Sequence, residues 1–344
     1  MTISAGGTHS LMHSVQNTDV WMTGFGNFMY FRKTNDFRFL RVLQIVFRLN
    51  FLVATVALAL QRPYMLYYIC PLHTFFFLFV WVVMRIQCSQ NKNDAFVLKK
   101  LGVALLILIM VFEIRPVFNI VFAPLQPLLL FNGSMHEWYF RSRLDCYATW
   151  FGMLCGLYYD RAATMLANFE EESNLNNDKS SHLEQNIIRA SITTLSVFVL
   201  CLYGFVCLSL DKYTFNAIHR FTSLLPILAF WVCRSIHPYL RQHRIALFRF
   251  LGTITLETYI LQHHLYLTDN AKMVIAYINA QTYPLLNFAL ATLVFVLASY
   301  IVFHATSLLN GWLFQKQFSL KQTFQYRILP IVAITAAALI LITI

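Results

Sequence analysis

The densest group of ionisable side chains lies in the segment HEWYFRSRLDCY, which begins at His136 and runs directly into an apolar segment. Ionisable groups at membrane depth are costly, and they mark functional sites by default. In a helix, Glu137, Arg141 and Asp145 follow one another at four-residue spacing, so the arginine can neutralise a carboxylate on either side. His136 and Arg143 then lie on a neighbouring face. Two interpretations stay open: a salt-bridge ladder at a helix end, or a substrate site.

As a substrate site, this segment would act through its two arginines. Arg141 and Arg143 would bind an anionic substrate or stabilise a developing oxyanion, because fixed cations act strongly on developing charge in a water-poor site. Glu137 and Asp145 would hold the arginines in place. Arginine suits this role because its guanidinium forms bidentate contacts with phosphate and carboxylate groups.

A second polar group interrupts the apolar segment FLGTITLETYILQHHLYL, which starts at Phe250. In one continuous helix, Thr253, Glu257 and His264 form a polar stripe, whereas His263 points away from it. A carboxylate beside an imidazole can orient its tautomer and raise its basicity, as a general base requires. The pattern therefore predicts Glu257 and His264 as catalytic residues.

Single polar residues occur in other apolar runs, where each is costly unless it is paired. Arg48 is a candidate for substrate binding, although it could also snorkel or join two helices. His73 and His136 are secondary candidates for a catalytic acid or base. Glu113 and Arg115 lie together at the end of the third apolar run.

The composition is that of an integral membrane protein. Of the 344 residues, 58% are hydrophobic and only 12% are charged, whereas about 25% are charged in soluble domains. The apolar runs are close to the roughly 20 residues that a spanning helix needs. We predict an all-α polytopic bundle with about ten spans, in which residues 1–39 form a polar tail and an aromatic interfacial segment and residues 40–344 form the membrane domain. The spans are 40–60, 64–84, 97–113, 116–131, 144–166, 187–209, 221–236, 245–267, 285–308 and 326–344.

Several function classes are disfavoured by the distribution of charge and cysteine. The formal net charge is +11, but the basic residues are scattered over many loops, so nucleic acid is not an expected partner. The seven cysteines never form a CxxC pair, so neither a zinc site nor any other metal site is predicted. Residues 167–186 read as a solvated loop. Basic residues do not decide the orientation, and the sequon at Asn132 predicts a glycosylated luminal loop on the same side as the N-terminus.

Together with their neighbours, these residues resemble the multi-spanning acyltransferase domain of the capsule-polysaccharide and sialate O-acetyltransferases, which plant reduced-wall-acetylation proteins share. The resemblance extends over nearly the whole chain. It is carried by the strings WMTGFGNFMYF, RLNF, YMLYYICPLHT, HEWYFRSRLDCY, FLGTITLETYILQHHLYL and YPLLNF, in that order.

The resemblance implies a membrane O-acetyltransferase of the Golgi, or of the endoplasmic reticulum or a related endomembrane. It would bind no cofactor and would use acetyl-CoA as the acyl donor and a glycan hydroxyl, of sialic acid or a polysaccharide, as the acceptor. Two-domain members carry a luminal SGNH-type domain, but here no Gly-Asp-Ser occurs and none of the eleven histidines follows an Asp by three residues. We therefore expect the plant arrangement or a truncated sequence, with acetyl delivered across the bilayer to a separate luminal transferase.

Two other hypotheses remain beside the enzyme. The same polar groups could form the binding site of a transporter for an acetyl donor or an anionic solute, in which nothing covalent happens. Alternatively, the chain could be a non-catalytic subunit that stabilises a separate transferase. Transfer of label from acetyl-CoA to protein or glycan distinguishes the enzyme from both, and vesicle uptake without label transfer identifies the transporter.

Overall fold

The computed structural model describes residues 5–129, 135–175, 179–268, 273–315 and 320–330. Within these ranges the regular structure is helical, and an isolated bridge joins Leu267 to Val274. The α-helices are α1 Ala5–Thr34, α2 Phe39–Ala59, α3 Ile69–Arg85, α4 Asp94–Glu113, α5 Arg115–Phe122, α6 Gln126–Leu129, α7 His136–Ser142, α8 Ala148–Leu175, α9 Lys179–Ser209, α10 Lys212–Thr222, α11 Leu224–Ile236, α12 Pro238–Gln242, α13 Ala246–Thr253, α14 Thr255–Leu261, α15 Pro284–Leu313 and α16 Leu320–Thr323.

The all-α prediction is confirmed. Among the described residues, four helical segments are long and apolar enough to cross a membrane: Phe39–Ala59, Asp94–Glu113, Leu183–Ser209 and Pro284–Leu313. Two shorter apolar helices, α3 and α11, coincide with predicted spans. Most of the last predicted span, 326–344, and the sequon at Asn132 lie outside the described residues.

The chain divides into two compact units. Their limits differ from the predicted division between residues 1–39 and 40–344. The first unit consists of Met1–Asp36 and Leu72–Arg244. The second consists of Phe37–Pro71 and Ile245–Ile344. In the first unit α1 packs against α8, α9 and α10, and in the second α2, α14 and α15 pack together.

Two segments expected to be irregular are helical instead. Where we expected a loose tail and an interfacial segment, α1 is one helix, and its Phe28 and Phe31 are buried. Where we expected a solvated loop at 167–186, α8 continues to Leu175 and α9 begins at Lys179. Low apolar content is compatible with an exposed helix as well as a loop, and this explains the error at 167–186. At α1 the aromatic residues pack against the other helices of the first unit.

Two predicted spans are broken. The fourth contains Pro116, Pro124 and Pro127 and divides into α5, a short 3₁₀ turn and α6. Proline removes a backbone donor and clashes with the preceding turn, so the break is expected. The eighth span divides at Ile254 into α13 and α14 and ends in the π-helical turn Gln262–Tyr266.

Glycines allow α1 and α8 to approach closely. A Cβ atom on Gly24 would lie 2.0 Å from the Thr149 carbonyl oxygen, and one on Gly152 would lie 2.2 Å from the Trp21 carbonyl oxygen. Small residues at a helix crossing let backbones come together, as in other membrane bundles. The long helix α1 is therefore fixed to α8 by backbone contact.

This crossing predicts opposite effects for two glycines of α1. Gly24→Ala should lower the thermal unfolding temperature of the detergent-purified protein, because the new methyl group forces the helices apart at a cost of about 1–3 kcal/mol. Gly26→Ala is the matched control, since a Cβ there meets nothing within 4 Å, and its better helix propensity should leave stability equal or higher. Equal effects of the two variants would contradict the close crossing.

Candidate functional site

The first polar site begins where α4 ends. Pro116 prevents α4 from continuing, because its ring would clash with the carbonyl of residue 112. Ile114 is extended, with φ −101° and ψ 98°, and α5 begins at Arg115. The break places Glu113 at the last position of α4 and Arg115 at the first position of α5.

Glu113 joins two other parts of the first unit. Its carboxylate accepts hydrogen bonds from Arg220 at 2.9 and 3.0 Å, from the Tyr147 hydroxyl at 3.0 Å, and from Arg143. Arg143 and Tyr147 lie in the connection between α7 and α8, and Arg220 lies on α10. One carboxylate therefore holds two guanidinium groups side by side.

These guanidiniums face a cavity of about 260 Å³, which we call the basic pocket. The guanidiniums of Arg115 and Arg143 also lie against the Tyr139 ring, 5.0 and 5.4 Å from its centroid. The Nε atoms of Arg143 and Arg220 are buried without a hydrogen-bond partner among the described residues. The lining residues are Arg115, His136, Tyr139, Phe140, Arg143, Leu144, Asn216, Ala217 and Arg220. Three arginines and no carboxylate line the pocket, so its chemistry suits an anion.

The structure separates the two arginines of the HEWYFRSRLDCY segment. Arg143 lines the basic pocket, whereas Arg141 pairs with Glu137 at 3.2 Å on a partly exposed face of α7. The ladder interpretation thus describes Glu137 and Arg141, and the substrate-site interpretation fits Arg143. His136 is exposed and lines the pocket.

Asp145 does not hold the arginines as the spacing suggested. It lies outside regular helix, is only 2% exposed, and has its Oδ1 atom 3.8 Å from Nε2 of buried His219. The other ring nitrogen of His219 hydrogen-bonds to the Tyr203 hydroxyl at 2.7 Å. The four-residue spacing predicted the wrong partner because α7 ends at Ser142, before Asp145.

Sequence reasoning missed Asn216, His219 and Arg220. All three lie on α10 at spacings of three and four residues, so they share one helix face. Arg220 falls in the predicted connection between the spans 187–209 and 221–236, among the scattered basic residues that do not decide the orientation. The sequence signal for these three residues is their helical spacing in a short amphipathic segment. An ordinary solvent-exposed helix face has the same pattern.

His73 lies in α3 and its Nδ1 atom is 2.7 Å from the Thr23 hydroxyl of α1. This contact is within the first unit. It gives His73 a structural partner, and His73 is not among the residues that line the basic pocket.

The second unit contains a buried ion pair. Arg48 of α2 lies 2.6 Å from Oε1 of Glu257 of α14, and the Thr306 hydroxyl of α15 donates to the same atom at 3.1 Å. The Glu257 side chain is fully buried. Its contacts therefore tie α2, α14 and α15 together, which is the helix-joining role considered for Arg48.

The predicted polar stripe of the eighth span does not form, because the span is not one continuous helix. Thr253 ends α13 and is exposed, whereas Glu257 is buried in α14 and His264 lies in the π-helical turn. The Nε2 atom of His264 hydrogen-bonds to the buried Tyr67 hydroxyl. Among the described residues, the Glu257 carboxylate is paired with Arg48 and accepts a hydrogen bond from Thr306. The prediction that Glu257 orients His264 is therefore wrong.

The fold and the pocket together define a polytopic integral membrane protein with a cationic cavity. The family described as the 10 TM acyl transferase domain found in Cas1p matches residues 10–324, and the chain belongs to this family.

An N-acetylneuraminate (7)9-O-acetyltransferase of Danio rerio is 32% identical over 300 residues, which are 84% of this chain. The chain spans only 37% of the length of that relative. No solved structure matches the chain. The family and the relative confirm the resemblance to membrane acyltransferases.

The ion pair between Arg48 and Glu257 predicts that removing Arg48 alone destabilises the protein much more than removing both partners. Arg48→Met should destabilise the protein by about 3–5 kcal/mol, because it leaves the Glu257 carboxylate buried without its cation. The double variant Arg48→Met with Glu257→Leu should regain most of this loss. Thermal unfolding in detergent measures both effects.

Arg141→Met is the control for that experiment. Its partly exposed pair with Glu137 should contribute only about 0–1 kcal/mol. A double variant no more stable than Arg48→Met would show that the ion pair is not what fixes these helices.

Proposed function

We propose that this chain moves acetyl groups from acetyl-CoA toward the hydroxyl groups of a glycan such as sialic acid or a polysaccharide. Membership of the acyltransferase family supports acyl transfer. The similarity to the N-acetylneuraminate (7)9-O-acetyltransferase of Danio rerio supports acetyl as the acyl group and a sialic acid as one acceptor. Because the chain spans only 37% of that relative, we propose that a luminal transferase, in the same polypeptide or separate, completes transfer to the glycan.

The observation that carries the donor assignment is the basic pocket. Arg143 and Arg220 each retain a buried Nε–H without a partner in the described part of the chain, and both line the same cavity. Phosphate is bound well by such planar, charged donors. A cavity of about 260 Å³ lies below the usual range of about 300–1,000 Å³ for sites that enclose a drug-sized ligand. We therefore propose that it holds a phosphate-bearing part of acetyl-CoA, and not the whole molecule.

We propose His264 as the general base, with His73 and His136 as secondary candidates. In the step that we assign to this chain, the imidazole takes the proton of the hydroxyl that first receives the acetyl group, the hydroxyl oxygen attacks the thioester carbonyl carbon, and the carbon–sulfur bond breaks. The thiolate leaving group then takes up a proton, which leaves the imidazole neutral. The luminal transferase then passes the acetyl group to the glycan. The hydrogen bond between Nε2 of His264 and the Tyr67 hydroxyl supports the assignment of His264 as the base because it fixes the orientation of the ring.

For Glu257 and Arg48 we propose a supporting role, through the packing of the helices that carry His264. Glu137 and Arg141 have no part in this proposal beyond a surface ion pair. We propose the Golgi membrane as the location, because glycan acetylation of the kind named for the relative needs a secretory compartment. A luminal N-terminus and a luminal, glycosylated Asn132 remain part of the same proposal.

Arg143 and Arg141 provide a matched test of the donor site. Arg143→Gln should weaken acetyl-CoA binding about ten- to a hundredfold, because a charge-assisted hydrogen bond contributes about 1.5–3 kcal/mol. Arg141→Gln should change binding less than about twofold, since this side chain is absent from the pocket lining and forms a partly exposed pair. Binding of labelled acetyl-CoA to purified protein is the measurement.

Two results would contradict this donor site: equal weakening by both variants, or no weakening by either. Vesicle uptake of the donor without transfer of label to protein or glycan would instead identify a transporter.

His264 is tested by activity and stability together. His264→Gln should abolish acetyl transfer in membranes that contain any partner transferase, since general-base catalysis typically contributes about 10²–10⁴-fold. Acetyl-CoA binding and the unfolding temperature should stay close to wild type. The neighbouring variant His263→Gln, in the same π-helical turn, should retain most activity. Full activity of His264→Gln at saturating acetyl-CoA would move the base to His136 or His73.

A further inference from the structure

The lining of the basic pocket includes a polar residue, Asn216, whose presence the binding of an anion by the arginines does not explain. Asn216 lines the cavity but is only 8% exposed. Neither its amide nitrogen nor its amide oxygen has a hydrogen-bond partner among the described residues. A buried amide without partners costs free energy and calls for an explanation in each protein where it occurs.

Two more buried polar residues, Asp145 and His219, are close in sequence to residues that line the pocket. His219 is one helical turn after Asn216 on α10, and Asp145 directly follows the pocket residue Leu144. The Nε2 atom of His219 and the Oδ1 atom of Asp145 are also without partners, and the 3.8 Å between them is too long for a direct hydrogen bond. The Tyr203 hydroxyl accounts for the other ring nitrogen of His219.

The pattern of unpartnered atoms restricts what could bind there. A phosphate offers only acceptors, so it could satisfy the Asn216 nitrogen but not the Asn216 oxygen. A hydroxyl or a secondary amide both donates and accepts hydrogen bonds. Such a group can therefore satisfy both the nitrogen and the oxygen of Asn216.

We propose that the basic pocket is a two-part site, in which the arginines bind the anionic part of a ligand and Asn216 recognises a neighbouring hydroxyl or secondary amide of the same ligand. The inference rests on the proposed function, because acetyl-CoA carries phosphates together with hydroxyl and amide groups. Asn216 is thus the residue that distinguishes the donor from simple phosphates.

Two probes separate the two parts of the site. Coenzyme A carries both kinds of group, whereas inorganic pyrophosphate carries only the anion. In the purified full-length chain, Asn216→Leu should lower the affinity for coenzyme A about tenfold or more, since a site built for a polar group discriminates strongly when that contact is lost. Competition by pyrophosphate should stay within about twofold of wild type. The unfolding temperature should be unchanged or higher, because the variant removes an unpartnered buried amide.

Arg220→Met is the matched variant, and it should lower the affinity for both probes. If Arg220→Met lowers the affinity for both probes but Asn216→Leu lowers it for neither, the two-part site is wrong and the donor site stands. If Asn216→Leu lowers the affinity for both probes equally, Asn216 only shapes the pocket and the inference fails. If Arg220→Met changes neither affinity, the donor assignment fails, and the inference fails with it.

Discussion

The carboxylate of Glu113 is the contact on which the polar region of the first unit depends. Taking ions out of water costs several kcal/mol for each ion unless close partners compensate. Glu113 also ends α4, where the helix dipole disfavours a negative charge. Two guanidiniums and a tyrosine hydroxyl offset both costs, and they come from the α7–α8 connection and from α10. The need to neutralise one carboxylate therefore assembles the pocket from separate parts of the chain.

The second unit shows the same constraint with a different result. The fully buried Glu257 draws Arg48 and Thr306 to one of its oxygens, and the contact joins three helices around an apolar core that contains Val53 and Ile260. Among the described residues, its other oxygen has no hydrogen-bond partner. An ion pair with a fully buried carboxylate contributes specificity of packing more readily than net stability. This is why the position of His264 depends on Glu257 through the helix, and not through a direct hydrogen bond.

Much of the fold could be predicted from the sequence, because lipid imposes length and hydrophobicity on every spanning helix. The site was only partly predictable. Arg143 was found because it lies in a dense polar segment, but its difference from Arg141 arises because α7 ends at Ser142, so that Arg143 lies in the connection that meets Glu113. The prediction of a polar stripe from Thr253 to His264 is wrong because it assumes helical spacing across the break at Ile254. Arg220 is contributed by α10, far from Glu113 in sequence, and local periodicity carries no information on such pairings.

Glu113 also determines how the pocket can act on an anion. It occupies terminal nitrogens of Arg143 and Arg220 and leaves their Nε–H groups for another acceptor. An arriving anion therefore adds to the carboxylate contacts without displacing them, and the arginines need no reordering when it binds. Preorganisation of this kind lowers the entropic cost of binding. In the proposed donor site, the carboxylate also reduces the positive charge beside the pocket, and this limits how tightly an anion is held.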